Sequence, residues 1–172
     1  MENRLLESLQ ENTIDCVILG YEKEQLKVLL LKWKESNLWS LPGGYVHKDE
    51  DFDQAANRIL EERTGLCSNF LKQFYTFSKV HRNREHEEEK ETISKILEQI
   101  PLQDKTWDID WFTKRFVSTG YFALVDIRKT NPEPDFLSDR CTWIPLKEVP
   151  KLLADHNEIL EKALENLCIQ LN

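Results

Sequence analysis

Residues 41–66 constrain this chain more than any other stretch. Leu41-Pro42-Gly43-Gly44 reads as a tight turn in an extended segment. A few residues later the pattern becomes helical. Phe52, Ala55, Ala56, Ile59 and Leu60 fall at i, i+3, i+4, i+7 and i+8, one apolar stripe. Asp51 and Gln54 have capping-box spacing at the start, and Gly65 sits where a C-terminal cap belongs. A helix with one apolar stripe must bury it against another layer.

That layer is a sheet. Thr13 to Gly20 and Gln25 to Trp33 are apolar runs of strand length, with a polar turn between them. Trp39 to Val46 is a short extended stretch broken by the Pro-Gly-Gly turn. Asn69 to Val80, Phe116 to Ile127 and Cys141 to Ile144 read as further strands, Leu146 to Leu153 as a short helix. A last helix from His156 to Leu171 carries the stripe Ile159, Leu160, Ala163, Leu164, Leu167 and Leu171, with capping-box spacing at Asp155 and Glu158. Strands precede and separate the helices without steady βαβ alternation. The class is therefore α+β, a mixed β-sheet sandwiched between helices.

At 172 residues the chain is one ordinary domain, 1–172. An acidic helical segment is inserted at about residues 85–112, with Ile93, Ile96, Leu97 and Ile100 at helical spacing and Pro101 as its stop. Its acidic face reads as a solvated surface, and its apolar stripe as cover for this chain's core or a partner's. The net charge of −8 disfavours duplex binding, which needs clustered Lys and Arg. The N-terminus lacks the order of a signal peptide, and no run is long enough to span a bilayer. Cys16, Cys67, Cys141 and Cys168 form no CxxC pair, which suits reduced thiols in a cytoplasmic protein.

From Gly44 the residues GYVHKDEDFDQAANRILEERTGL resemble the Nudix (MutT-like) box, G-x5-E-x7-R-E-U-x-E-E-x-G-U with U aliphatic. Gly44, Glu50, Arg58, Leu60, Glu62, Gly65 and Leu66 fill their places, and Gly43 completes the preceding turn. The resemblance implies a Nudix fold and magnesium-dependent cleavage of a nucleoside diphosphate linked to another group. It makes Gly43, Gly44, Glu50, Arg58 and Gly65 scaffold residues, Glu50 and Arg58 as a charge pair. The family holds its metal on three Glu at i, i+3 and i+4, which share one helical face. Here those positions are Ile59, Glu62 and Arg63. An apolar side chain offers no ligand and a guanidinium stays protonated. Glu62 is left as the one box candidate for a catalytic or metal-ligand role.

The resemblance continues through Gln73 to Phe77 with Arg82 and Arg84, Arg115 to Ser118, Tyr121 to Leu124, Trp143 to Leu146, and Asp155 to Leu160. These segments are similar to a subgroup of ADP-ribose pyrophosphatases and Nudix-related transcriptional regulators. The regulators carry a C-terminal winged helix. The present sequence stops after the last helix, so direct DNA binding is not expected, whereas a homodimer is. Arg82, Arg84 and Arg115 are candidate phosphate contacts, against the alternative of surface ion pairs. His156 is read as helix-start packing or an acid–base group, and Trp33, Trp39 and Tyr45 as core or an adenine stack. Two functions follow. One is binding of ADP-ribose or a related nucleotide with little or no hydrolysis. The other is a divergent magnesium-dependent hydrolase using Glu62, Glu50 and an outside acid, such as one in Glu85 to Glu91.

Overall fold

The computed structural model describes residues 11–67, 70–80, 82, 87–99 and 115–170. Arg84, Ile100 and the far half of the inserted segment lie outside them. A seven-stranded mixed sheet is built on β1 (Glu11–Glu22). The other strands are β2 (Gln25–Trp33), β3 (Trp39–Ser40), β4 (Gly43–Tyr45), β5 (Lys72–Phe77), β6 (Phe116–Val125) and β7 (Ser138–Pro145). The principal order is β3-β2-β1-β6-β5. β1 runs parallel to β6 along ten residue pairs. Its other edge is shared: Thr13 to Asp15 pair with β4, and Leu19 to Glu22 with β2. This division lets the Gly43-Gly44 turn join the middle of the sheet.

Two helices cover opposite faces, which explains the unbroken apolar runs in β1 and β2. On one face α1 (Phe52–Thr64) packs Ala55, Ala56, Ile59 and Leu60 against Ile14, Cys16, Ile18, Leu29 and Tyr121. On the other, Ile159, Leu160 and Ala163 of α3 (His156–Gln170) meet Val17, Leu19, Leu30 and Phe122. Burying Ile59 and Leu60 contributes about 1.5–3 kcal/mol each. The Asp51–Gln54 capping box forms, and Gly65 ends α1 at φ 68, the left-handed conformation glycine accepts cheaply.

Helix α2 (Glu87–Glu98) turns its stripe inward. Ile93, Ile96 and Leu97 pack on Trp33, Leu137 and Leu153 of this same chain. Glu89 also accepts from the backbone N–H of Ala154 at 2.9 Å, bracing the turn before α3. Ala154 holds a positive φ of 49 there.

Some elements differ from the sequence reading. β5 is shorter than the 69–80 expectation. β6 stops at Val125, and Ile127–Lys129 make a 3-10 turn whose N–H at Arg128 bonds the Asp126 side chain. Leu146 to Leu153 is not a helix: only Leu146–Glu148 turn, Pro150 follows, and Leu152 pairs with Trp39. No helix among the described residues is long and apolar enough to cross a membrane.

Candidate functional site

The Pro42 carbonyl accepts from Cys16 N–H at 2.8 Å, and β4 pairs Gly43 with Asp15. A Cβ on Gly43 would stand 2.4 Å from Asp15 Oδ1, so any larger residue would have to push the Asp15 carboxylate aside. Arg58 fastens this turn to α1. Its Nε donates to Glu50 Oε2 at 2.9 Å, Nη2 to the Tyr45 carbonyl at 2.8 Å, and Nη1 to Glu62 Oε2 at 2.9 Å. Glu50 also accepts from His47 N–H at 2.7 Å. The expected Glu50–Arg58 pair is thus formed.

The hydrogen bonds from Arg58, aided by His47 N–H, overcome the opposing effect of burial and lower the Glu50 carboxyl from 4.5 to about 2. A carboxyl depressed in the folded state stabilises fully above its unfolded value and loses that contribution as pH falls through its folded value. Stability should therefore drop between pH 4.5 and about 2. In urea unfolding at pH ~5 and ~3, Glu50→Gln should shrink the difference between the two conditions.

The three positions that would carry metal ligands do not share a carboxylate cluster. Ile59 is buried under the turn, where a Cβ on Gly44 would lie 3.1 Å from its Cγ1. The Glu62 side chain is 58% exposed and held by Arg58. Arg63 points inward. Its side chain is 6% exposed, its Nη1 donates to Asp135 Oδ2, and the Asp135 side chain is 2% exposed. The Arg63 guanidinium lies 5.7 Å from the centre of the Trp33 ring. Burial pulls Arg63 below its ordinary value against the opposing charge of Asp135, yet a guanidinium remains protonated. Among the described residues no three His, Cys, Asp or Glu converge to hold a metal ion. Of the three box positions only Glu62 offers the carboxylate oxygen that a magnesium ion binds.

A cleft of about 110 Å³ opens over α1, lined by Gly44, Tyr45, His47, Ile59, Arg63 and Phe136 among others. A second space of about 20 Å³, the size of one water, is lined by Thr13, Asp15, Trp33, Ser40 and His156 among others. Arg63 borders both spaces. His156 is buried at the start of α3. Its Nδ1 accepts from Leu41 N–H at 3.0 Å, which leaves the proton on Nε2, 3.4 Å from Asp15 Oδ1. Asp15 Oδ2 accepts from Ser118 Oγ. This His therefore holds the turn to the sheet.

Arg82 is buried, its side chain 4% exposed. Its Nε and Nη2 donate to the two oxygens of Asp155 at 2.6 and 2.8 Å. Its guanidinium stands 5.0 Å from the Phe116 ring centre. Burial pushes the Asp155 carboxyl up, and the bonds and charge of Arg82 more than reverse this, leaving it below its ordinary value. Asp155 thus serves Arg82, and Glu158 accepts from Lys79 at 2.6 Å. The capping-box spacing there is spent on long-range pairs. Arg115 is exposed just before β6. Trp33 is core, its Nε1 donating to Ser40 Oγ at 2.9 Å. Sequence reasoning missed Asp135, Asp15 and Ser118, and also Asp53, which accepts from Tyr121 Oη at 2.6 Å.

A helix-backed mixed sheet with this turn and this helix defines a class. The sequence model of the NUDIX domain matches residues 10–167, and the chain belongs to that family. Among curated proteins it is similar to the ADPR responsive transcriptional repressor NtrR of Acinetobacter baylyi, 26% identical over 162 residues. That match covers 90% of this chain and 53% of the relative, so the chain spans about half of the relative's length. Among solved structures it is similar to the NUDIX domain of Shewanella oneidensis NrtR complexed with ADP ribose, with TM-score 0.69 and 24% identity over 97% of this chain and 99% of that one. A MutT/nudix family protein from Enterococcus faecalis gives TM-score 0.68 and 22% identity over 94% and 63%. These two likenesses establish the shared fold.

Proposed function

We propose that this domain binds ADP-ribose or a related nucleoside diphosphate derivative and hydrolyses it little or not at all. The observation that carries the reading is the box helix itself. Two of its three metal-ligand positions hold a buried Ile59 and a buried Arg63 paired with Asp135. Metal-assisted attack on a pyrophosphate needs a cation polarising its oxygens, and this face offers that cation one exposed carboxylate. The scaffold around it is intact, from the Glu50–Arg58 brace to the Gly65 cap. A cleft kept in shape without its chemistry suits a sensor. The relative's description as ADPR responsive and the ADP ribose in a fold neighbour support the ligand class.

Arg115, exposed just before β6, is one arginine we assign to a ligand phosphate, while Arg82 acts through its bond to Asp155. Signalling through a second copy of the chain in the cytoplasm belongs to the same proposal. The competing reading is a weak magnesium-dependent hydrolase built on Glu62, whose carboxylate is exposed at the cleft rim.

Thermal unfolding in EDTA tests the binding. ADP-ribose at ~100 times its Kd should add about 2.7 kcal/mol of stability. An unchanged midpoint at millimolar ADP-ribose would remove the proposal.

A further inference from the structure

Arg63 has its charge on the cleft wall and an internal carboxylate already on it. The other cation there is committed elsewhere, since Arg58 is shared among Glu50, Tyr45 and Glu62. The carboxylate on Arg63 comes from the loop between β6 and β7, 72 residues further along the chain. That loop is tied down on either side of Asp135: Glu133 N–H donates to the Thr64 carbonyl at 2.9 Å, and Lys34 N–H to the Leu137 carbonyl at 3.0 Å. Between these ties stand Pro134, Asp135 and Phe136. Phe136 is 48% exposed and lines the cleft beside Asp135.

The ion pair is only half made. Asp135 Oδ2 takes the bond from Arg63, while Oδ1 is buried with no hydrogen-bond partner in the structure. A buried carboxylate oxygen without a hydrogen-bond partner has lost its water and gained nothing in return, which destabilises the closed arrangement. A phosphate group can accept two parallel N–H bonds from a guanidinium, where Asp135 here accepts one. The cleft, at about 110 Å³, is also smaller than the ~300 Å³ or more of a pocket that holds a whole small molecule. It has room for one polar end group unless the loop moves.

From this geometry we infer that Asp135 is a built-in competitor that occupies the anion seat of Arg63, and that a phosphate of the incoming nucleoside diphosphate displaces it. The protein cation takes the place where relatives in the family carry a carboxylate, and the seat works without a metal. Displacement moves the loop that carries Phe136, which widens the cleft and gives binding a route to the surface. This inference rests on the reading of the cleft as a nucleotide site.

The test is calorimetric titration in EDTA with two probes, inorganic pyrophosphate and ADP-ribose. The proteins are the wild type, Asp135→Asn and the double variant Arg63→Met with Asp135→Leu. Asp135→Asn keeps a hydrogen-bond acceptor and removes the competing charge. It should bind pyrophosphate about tenfold more tightly, the gain expected when a competent state rises from roughly a tenth to most of the population. The double variant replaces the pair with apolar side chains, a change buried pairs tolerate, and should lose at least tenfold against wild type. Equal affinity of Asp135→Asn and wild type would overturn the inference, as would wild-type affinity in the double variant. If Asp135→Asn fails to fold, the double variant decides alone by the same criterion. The ADP-ribose arm separates the two claims. Wild-type binding of ADP-ribose with no gain in Asp135→Asn removes the competitor and keeps the sensor. A gain for pyrophosphate with no ADP-ribose binding keeps the competitor and removes the proposed ligand.

Discussion

Arg63→Met should lower the stability of this domain by about 3–5 kcal/mol, because it leaves the Asp135 carboxylate buried without its cation. For a chain of 172 residues that is a fall on the order of 10 °C in the unfolding midpoint. Pairing the change with Asp135→Leu should recover most of the loss, since two apolar side chains of similar bulk remove both charges together. Repairing the box meets the same buried carboxylate. Arg63→Glu places a second carboxylate against Asp135, and Ile59→Glu puts a charge at a position 1% exposed beneath Gly44. Restoring the three glutamates therefore requires Asp135→Asn as well. Thermal unfolding of the single, double and triple variants checks the order. A stable Arg63→Met would mean that the pair contributes nothing.

The second large effect is at Arg82. Arg82→Ala removes both bonds to Asp155, whose side chain is 13% exposed, and the contacts with Phe77 and Phe116. About 3 kcal/mol should be lost. Arg82→Lys should lose most of the same amount, because an ammonium cannot reproduce the bidentate fork. Asp155 immediately precedes α3, so the damage should appear as early unfolding of that helix by hydrogen exchange. A variant of normal stability with weakened nucleotide binding would instead put Arg82 in the ligand site.

Where the sequence carried its own local signal, it was legible. The stripe from Phe52 to Leu60, the Asp51 cap and Gly65 fix α1 within a single turn-to-turn pattern, and α1 formed as expected. The Glu50–Arg58 brace was legible through family spacing. Asp135 was not, because its partner is distant in sequence and it sits in a proline-containing loop with no periodicity. The signal that would have found it was Arg63 itself. Arg63 follows Ile59 by four residues on a face that buries, so its charge demanded a carboxylate from somewhere. Asp155 and Glu158 mislead for the opposite reason. Their spacing suits a capping box, yet Arg82 and Lys79 from distant segments claim both side chains. Local patterns say what a residue is able to do, and packing decides which partner it takes.

The cleft is proposed to bind a nucleoside diphosphate without the family's metal chemistry. The most direct test is calorimetric titration of ADP-ribose into the purified chain, with and without magnesium, followed by analysis of the cell contents for AMP. Saturable binding of similar strength in both conditions, with no AMP, is expected. Magnesium-dependent AMP would contradict it, and would mean that Glu62 with ligands from elsewhere suffices for catalysis.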